Sequence, residues 1–277
     1  GFPFDFRMGY GRSINKRATL IAVNRSPVEL RKNRRPELAI RADAGQFLQA
    51  LARTTPKPYG RWDHWFEACR ERENARDQEI AQQAKAPVDE YVNPLLLCQQ
   101  IEEMMSPQSV MVVDGGDFVA TAAYICRPRA PLCWLDPGVF GTLGVGGGFA
   151  LGAALCNPDK ETWIIWGDGS AAYSLAEFDT FVRHGLPVIG VVGTDGSWAQ
   201  IAREQVEVLG TDLGCALRRT SYETVAEGYG GKGLLLERPE DIPAVLSEAK
   251  SLAQQGYPVL INALIGKTDF RKGSISM

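Results

Sequence analysis

Three apolar runs of this sequence are each followed directly by a tripeptide that contains glycine and aspartate. This repeated pattern constrains the fold more than any other feature. The runs are Ser109–Val113, Thr162–Trp166 and Pro187–Val192, and they are followed by DGG at 114–116, GDG at 167–169 and GTD at 193–195. Apolar runs of this length, separated by helical patterns, predict parallel strands buried on both faces. Because ligands bind at the carboxyl ends of such strands, these tripeptides mark the predicted functional edge of the sheet.

The same alternation continues through the rest of residues 86–277. Asn93 and Pro94 predict a helix start, because Asn caps free N–H groups and Pro is tolerated in the first turn. Further helices are predicted over Gly144–Cys156, Ala171–His184, Tyr222–Gly228 and Pro239–Gln255, and strands over Gly233–Leu236 and Pro258–Ile265. This pattern predicts an α/β domain with a doubly wound parallel sheet.

Residues 1–85 follow a different pattern. Short strands are predicted over Thr19–Asn24 and Ala39–Arg41 and a helix over Ala44–Arg53, which is too little to close a core. We therefore expect residues 1–53 to be the C-terminal part of a preceding domain, with the chain entered in mid-domain at GFPFDFR. A Pro- and Thr-rich stretch and a charged helix from about Trp62 to Lys85 predict a linker over residues 54–85.

Composition argues against several classes of protein. A net charge of −3 gives no basic face for nucleic acid, and no apolar run reaches the ~18 residues of a membrane span. The six cysteines include no C-x-x-C pair, which favours buried thiols in a reducing compartment and predicts a cytoplasmic protein. The two histidines, His64 and His184, suggest neither a catalytic triad nor a metal site.

The tripeptide Gly167–Asp168–Gly169 indicates an anion site. Its glycines allow backbone N–H groups to approach an anion, and the following helix adds its positive N-terminal dipole. Asp168 would repel a phosphate unless a cation lies between them, and Mg²⁺ commonly bridges carboxylate and phosphate oxygens. Asp195, one helix and one strand later, supplies a second oxygen ligand. The sequence therefore predicts a phosphate-type anion held through a hard cation such as Mg²⁺.

This arrangement resembles the signature of thiamine-diphosphate enzymes, in which GDG is followed one helix and one strand later by Asn–Asn. Residues 86–277 resemble the diphosphate-binding domain of the acetolactate synthase and 2-hydroxyacyl-CoA lyase superfamily. Residues 1–53 resemble the end of its Rossmann-like middle domain, in the stretches DFRMGYGR, IAVNRSPVEL and AIRADAGQFLQAL. The resemblance implies thiamine diphosphate and Mg²⁺ as cofactors.

The resemblance also implies roles for individual residues. Mg²⁺ would be ligated by the side chains of Asp168 and Asp195 and by the Ser197 carbonyl. The cofactor would be held by backbone N–H groups of Gly169 and Ser170, next to Gly167, and from the other side by the loop 114–118, with Gly116, Asp117 and Phe118. One departure is Thr194–Asp195 in place of Asn–Asn, which adds negative charge and predicts a stronger dependence on the metal.

The glycine-rich stretch GTLGVGGG at 141–148 allows two interpretations. Its G-x-G pattern suggests dinucleotide binding, but no predicted strand runs directly into it. The resemblance instead implies that Leu143 lies under the bent cofactor and that the Gly141 carbonyl accepts from the 4′-amino group, which makes both catalytic. A glycine-rich helix start for close packing stays open. Trp198 and Gln200 follow the metal loop and could line the pocket, although the Trp could equally belong to the core.

The stretches LDPGVFGTLGVGGGFALGAAL, EFDTFVRHGLPV and IGKTDFRKGSISM look most like those of 2-hydroxyacyl-CoA lyases. This implies cleavage of a 2-hydroxyacyl-CoA to an aldehyde and formyl-CoA, or the reverse condensation. Acetolactate-synthase-type condensation of 2-oxo acids and a non-catalytic cofactor-holding subunit remain alternatives. In the family, a Glu of a pyrimidine-binding domain protonates the cofactor, and no residue here matches it. We therefore expect a pyrimidine-binding partner, upstream or in another chain of a homo-oligomer or heteromer, and no activity without it.

Overall fold

The computed structural model describes residues 6–12, 14–32, 34–54, 60, 62–89 and 91–272. The first residues of the chain, most of the Pro- and Thr-rich stretch and the end of the IGKTDFRKGSISM stretch lie outside the described residues. The chain divides between Asn74 and Ala75 into two compact units. This division falls within the long charged helix Asp63–Gln83 (α2). In the described part of the chain, no helix combines the length and apolar character needed to cross a membrane.

The first unit contains a small parallel sheet. Strands Ile21–Asn24 (β1) and Leu38–Arg41 (β2) pair in parallel, and helix Ala44–Thr54 (α1) follows them. Among the described residues of this unit, Leu30 is the only buried hydrophobic side chain. These elements therefore bury little apolar surface, as expected for two short strands and one helix.

The second unit is built on six parallel strands. The strands are Val110–Val113 (β3), Trp134–Leu135 (β4), Thr162–Gly167 (β5), Ile189–Thr194 (β6), Lys232–Leu236 (β7) and Val259–Leu264 (β8). The helices are Pro94–Met104 (α3), Asp117–Ile125 (α4), Gly146–Cys156 (α5), Asp168–Ser174 (α6), Glu177–His184 (α7), Ala199–Leu209 (α8), Tyr222–Gly228 (α9) and Ile242–Gln254 (α10). The strand order is β4-β3-β5-β6-β8-β7. The predicted parallel α/β sheet is thus confirmed.

The core lies in two layers, one on each face of the sheet. Along β5, Trp163 and Ile165 belong to one apolar layer, and Ile164 and Trp166 belong to the other. Helices α3, α4 and α10 complete the first layer, and α5, α7 and α9 complete the second. Every residue of β5 and β6 is buried, which explains why these strands are continuous apolar runs in the sequence.

The topology places a crevice between β3 and β5. From β3 the chain passes to the edge strand β4 and then returns to β5 on the other side of β3. A reversal of this kind leaves the carboxyl ends of the two central strands uncovered by a connection, and ligands bind there in open α/β sheets. The DGG and GDG tripeptides are located at these two strand ends.

Several predicted elements differ from the observed ones. The sequence analysis did not identify α4, α8 or β4, and the helix predicted over Ala171–His184 is two helices, α6 and α7. The break coincides with a close approach of α5, since a Cβ at Gly147 would lie 2.8 Å from the Ser174 carbonyl oxygen. The cysteines also differ from expectation, because Cys156 is exposed and Cys69 is partly exposed.

Candidate functional site

The ends of β3 and β5 are joined by backbone contacts. The Gly167 N–H donates to the Gly115 carbonyl at 3.1 Å, and the Ser170 hydroxyl donates to the same oxygen at 2.8 Å. Gly116 precedes α4 with a φ of 114°, a conformation that a side chain would strain. Together these contacts bring the two predicted cofactor loops side by side.

Asp168 is buried at the start of α6. Its carboxylate accepts from the Gly169 N–H and from the Gly196 N–H, each at 2.8 Å. Burial raises the pKa of Asp168, while the N–H donors and the charge of Arg219 oppose that shift. Asp168 therefore ties the end of β5 to the loop after β6, and its carboxylate is held in place before any ligand arrives.

Asp195 lies in the same loop after β6, and its carboxylate lacks part of its hydrogen bonding. Its Oδ1 is buried without a hydrogen-bond partner. Burial, the neighbouring Asp168 charge and the Asp117 charge raise the pKa of Asp195 to about 7, against the opposing effects of the Ser197 N–H and Lys267. A buried carboxylate oxygen without a partner is unfavourable, so this site is suited to a cation.

The donor set fits a hard divalent cation. Among the described residues no three His, Cys, Asp or Glu side chains converge as a metal cluster, so two carboxylates need further ligands from backbone or solvent. Ser197 is buried, and an antiparallel bridge to Ala216 fixes its backbone. Oxygen ligands of this kind match Mg²⁺, which keeps several waters or substrate oxygens in its shell.

Asp114 holds the glycine-rich stretch against the sheet. Its carboxylate accepts from the Gly144 N–H at 2.9 Å and from the Gly146 N–H at 2.7 Å. The side chain of Leu143 packs on Gly115, because a Cβ added at Gly115 would collide with the Leu143 Cδ2. Leu143 nevertheless remains 37% exposed. Gly141 has a left-handed conformation two residues earlier. Leu143 is therefore held at the crevice and partly exposed, and its wedge role stays a prediction.

The structure places the side chains of Asp117, Phe118 and Ser170 in other interactions. The Asp117 carboxylate pairs with Arg203 at 2.6 Å, and the Phe118 ring is buried in the core against Gly193. The Ser170 hydroxyl donates to backbone carbonyls. For Phe118 and Ser170, only backbone groups could therefore face a diphosphate.

Trp198 and Arg219 support the metal loop from two sides. The Trp198 ring lies on Gly169, where a Cβ would collide with the indole. The Arg219 guanidinium donates to the carbonyls of Thr194 and Ile265 and lies 3.8 Å from the centre of the Tyr91 ring. The sequence did not indicate Arg219, because its contacts with Thr194 and Ile265 form only when the segment before α9 lies across the ends of β6 and β8.

A cavity of about 440 Å³ opens beside Asp195 and Asp117. It is lined on one side by the start of α4 and on the other by α8 and the segment after β8. Its charged lining includes Asp117, Asp195, Arg203, Lys267 and Lys272. Polar groups of both signs therefore surround the open side of Asp195.

Comparison with known proteins identifies the segment that carries this site. Residues 114–263 match a family profile described as thiamine pyrophosphate enzyme, C-terminal TPP binding domain. Among solved structures, a thiamine diphosphate-dependent 4-hydroxybenzoylformate decarboxylase of Rhodococcus jostii RHA1 aligns with a TM-score of 0.60 at 22% identity. That alignment covers 66% of this chain and 34% of that chain, and it shows a shared fold.

Curated relatives match the whole chain. It is 48% identical to 2-hydroxyacyl-CoA lyase 2 of Danio rerio and 46% identical to that of Homo sapiens, in each case over 100% of this chain and 45% of the relative. It is 33% identical to a probable acetolactate synthase of Mycobacterium bovis, over 95% of this chain and 47% of that protein. The chain thus spans about half the length of the curated relatives it matches.

Proposed function

The chain belongs to the thiamine pyrophosphate enzyme family, and on this premise we propose that it forms the diphosphate- and Mg²⁺-binding half of a carbon–carbon lyase. The observation that carries the proposal is the unpartnered, buried Asp195 oxygen beside Asp168 at the crevice. It lies inside the segment that matches the cofactor-binding domain of the family.

The metal would be held by three groups of this chain. Asp168 and Asp195 would each give a carboxylate oxygen, and the Ser197 backbone would give its carbonyl. A cation held by these groups would relieve the repulsion between the two carboxylates and supply positive charge for a diphosphate. The Gly169 N–H, now bonded to Asp168, and the Ser170 N–H would face the diphosphate at the start of α6.

The glycine-rich stretch would position the reactive half of the cofactor. When bound, thiamine diphosphate supplies the carbon nucleophile and the electron sink for cleavage beside a carbonyl. Leu143 would support the bend of the cofactor from below, and the Gly141 carbonyl would accept from its 4′-amino group. Asp114 would keep this stretch in register through the Gly144 and Gly146 N–H groups.

The substrate class we propose is a 2-hydroxyacyl-CoA, cleaved to an aldehyde and formyl-CoA or formed by the reverse condensation. The support is the 46–48% identity to proteins named 2-hydroxyacyl-CoA lyase 2 over the whole chain. The second candidate is condensation of 2-oxo acids, which the lower 33% identity to a probable acetolactate synthase supports less strongly.

Activity would require a pyrimidine-binding segment that supplies the catalytic Glu. No residue of this chain matches that Glu, and the relatives are about twice as long. We propose that this segment belongs to the same protein or to a neighbouring subunit of an oligomer, and that the protein works in the cytoplasm.

The deciding experiment assays the complete protein with 2-hydroxyacyl-CoA and, in parallel, with pyruvate, each with and without thiamine diphosphate and Mg²⁺. We expect formyl-CoA and aldehyde from the first substrate only when both cofactors are present. Turnover of pyruvate alone would favour the acetolactate-type reaction. Cofactor binding without turnover of either substrate would favour a cofactor-holding subunit.

A further inference from the structure

Asp117 is an unfavourable residue to find beside a diphosphate. It is the first residue of α4, next to the loop Asp114–Gly116 that contacts Gly167. Its side chain is 15% exposed and lines the same cavity as Asp195.

The local charge makes the difficulty concrete. Asp114, Asp117, Asp168 and Asp195 place four carboxylates at one edge of the sheet, and a diphosphate adds further negative charge. One Mg²⁺ cannot neutralise all of these groups. In a partly buried site, uncompensated like charges repel strongly because little water screens them.

Two arginines lie against Asp117 from separate elements. Arg203 of α8 contacts its Oδ1 through Nη2 at 2.6 Å, and this side chain is 18% exposed. Arg271, beyond β8, approaches the same oxygen through Nε at 3.9 Å and is 7% exposed. The Arg271 Nε has no hydrogen-bond partner, and the guanidinium also lies 5.4 Å from the centre of the Tyr124 ring.

We propose that Arg203, assisted by Arg271, is a positioning residue that neutralises Asp117 so that the diphosphate can bind beside it. In this arrangement Arg203 acts through Asp117 and not on the cofactor directly. The pair also connects α8, which follows the metal loop, to the start of α4. This inference rests on the proposed function, because it takes the diphosphate to lie between these loops.

Charge neutralisation makes a specific prediction for paired substitutions. Arg203→Met removes the hydrogen-bonded partner of Asp117 and leaves only the more distant Arg271, so it should weaken binding at least about tenfold. Removing the carboxylate alone removes the repulsion, so Asp117→Asn should bind within about threefold of the parent or tighter. The double variant should then match Asp117→Asn, because Arg203 has nothing left to neutralise.

The test measures binding of Mg²⁺–pyrophosphate and of Mg²⁺–thiamine diphosphate by calorimetry to the complete protein, stripped of cofactor. Arg183→Met is the matched control, since Arg183 forms a solvent-exposed pair with Asp179 on α7 and its loss changes the net charge equally. We expect this control to bind like the parent. Thermal unfolding without cofactor reports whether each variant folds.

The outcomes separate the possibilities. A double variant as weak as Arg203→Met, or an Arg203→Met variant with parental affinity, would overturn the proposal. So would Asp117→Asn binding about tenfold more weakly, because the carboxylate would then be needed for itself. If Arg203→Met does not fold, the comparison of the double variant with Asp117→Asn still decides. A parent protein that binds neither probe would refute the proposed function, and with it this inference.

Discussion

The two ends of strand β5 carry acidic residues in opposite circumstances. Glu161, just before the strand, accepts from the Trp163 indole at 2.7 Å, the Ser109 hydroxyl at 2.9 Å, the Ser106 N–H at 3.1 Å and Lys250 at 3.0 Å. Its pKa is lowered because these donors outweigh the effect of burial. Asp168, just after the strand, has a raised pKa because burial outweighs its N–H donors.

This contrast separates stability from binding. At the amino end of the strand, Glu161 has partners within the protein, and this charged network ties β5 to the segments before β3 and to α10. At the carboxyl end, the carboxylates are held in place but under-compensated, and Asp195 keeps an unpartnered oxygen. Partly satisfied buried groups of this kind are expected where a ligand completes the arrangement.

The largest expected effect comes from removing the carboxylate at the binding end. Asp168→Ala should weaken Mg²⁺-dependent binding of thiamine diphosphate by about 3 kcal/mol or more, because the metal loses a charged ligand. Titration calorimetry at fixed Mg²⁺ measures this loss. Glu161→Gln is the control at the other end and should bind as the parent does. If Asp168→Ala kept the metal-dependent affinity of the parent, Asp168 would not be a metal ligand.

The next effect concerns rate and not affinity. Leu143→Ala should keep the diphosphate anchor but lose about 100-fold in turnover, because misplacing the reacting groups by roughly an ångström costs that much. Steady-state kinetics and calorimetry on the same preparations separate the two quantities. Normal turnover together with a lowered melting temperature would make Leu143 a packing residue only.

The third effect belongs to the anchoring end and should appear in stability alone. Glu161→Gln should lower the free energy of unfolding by about 2 kcal/mol, because charged hydrogen bonds to Lys250 and Trp163 are weakened. Since the pKa of Glu161 is lowered on folding, its contribution is present above its usual value of 4.5 and is lost as pH falls through the folded value. Urea unfolding at pH 7 and at pH 4 should therefore show a smaller difference from the parent at acid pH. An equal loss at both would contradict this assignment.

The same contrast explains what the sequence could predict. Buried strands of the central sheet are continuous apolar runs, so β5, β6 and the GDG and GTD endings were predictable from a single sequence. The Asn93 cap was predictable as well, because its side chain accepts from the Leu95 and Leu96 N–H groups next to it in the chain. Such local signals need no knowledge of distant contacts.

The missed features depend on contacts across the chain. Strand β4 has two residues at the edge of the sheet, too few for a periodic signal. Helix α8 is the exception, because its amphipathic pattern is a local signal in the sequence. The ion pair between Arg203 and Asp117 joins residues far apart in the sequence, and nothing in either local stretch indicates the other.

The smallest expected effect on binding comes from Asp195 at the carboxyl end of the sheet. It tests whether Asp195 ligates the metal or only repels the neighbouring carboxylates. Asp195→Asn should keep cofactor affinity within about threefold, because the amide still offers an oxygen to Mg²⁺.

Without metal, the pKa of Asp195 rises from 3.8 to about 7 on folding, so the folded protein binds the proton more tightly than the unfolded chain. The stability of the parent should therefore fall as pH increases between these values and level off above about 7. Asp195→Asn should remove this fall, and saturating Mg²⁺ should reverse it in the parent by stabilising the charged form. Thermal unfolding from pH 5 to 8, with and without Mg²⁺, measures both effects. If the parent and Asp195→Asn had parallel profiles, the burial of Asp195 would not be what separates the two ends of β5.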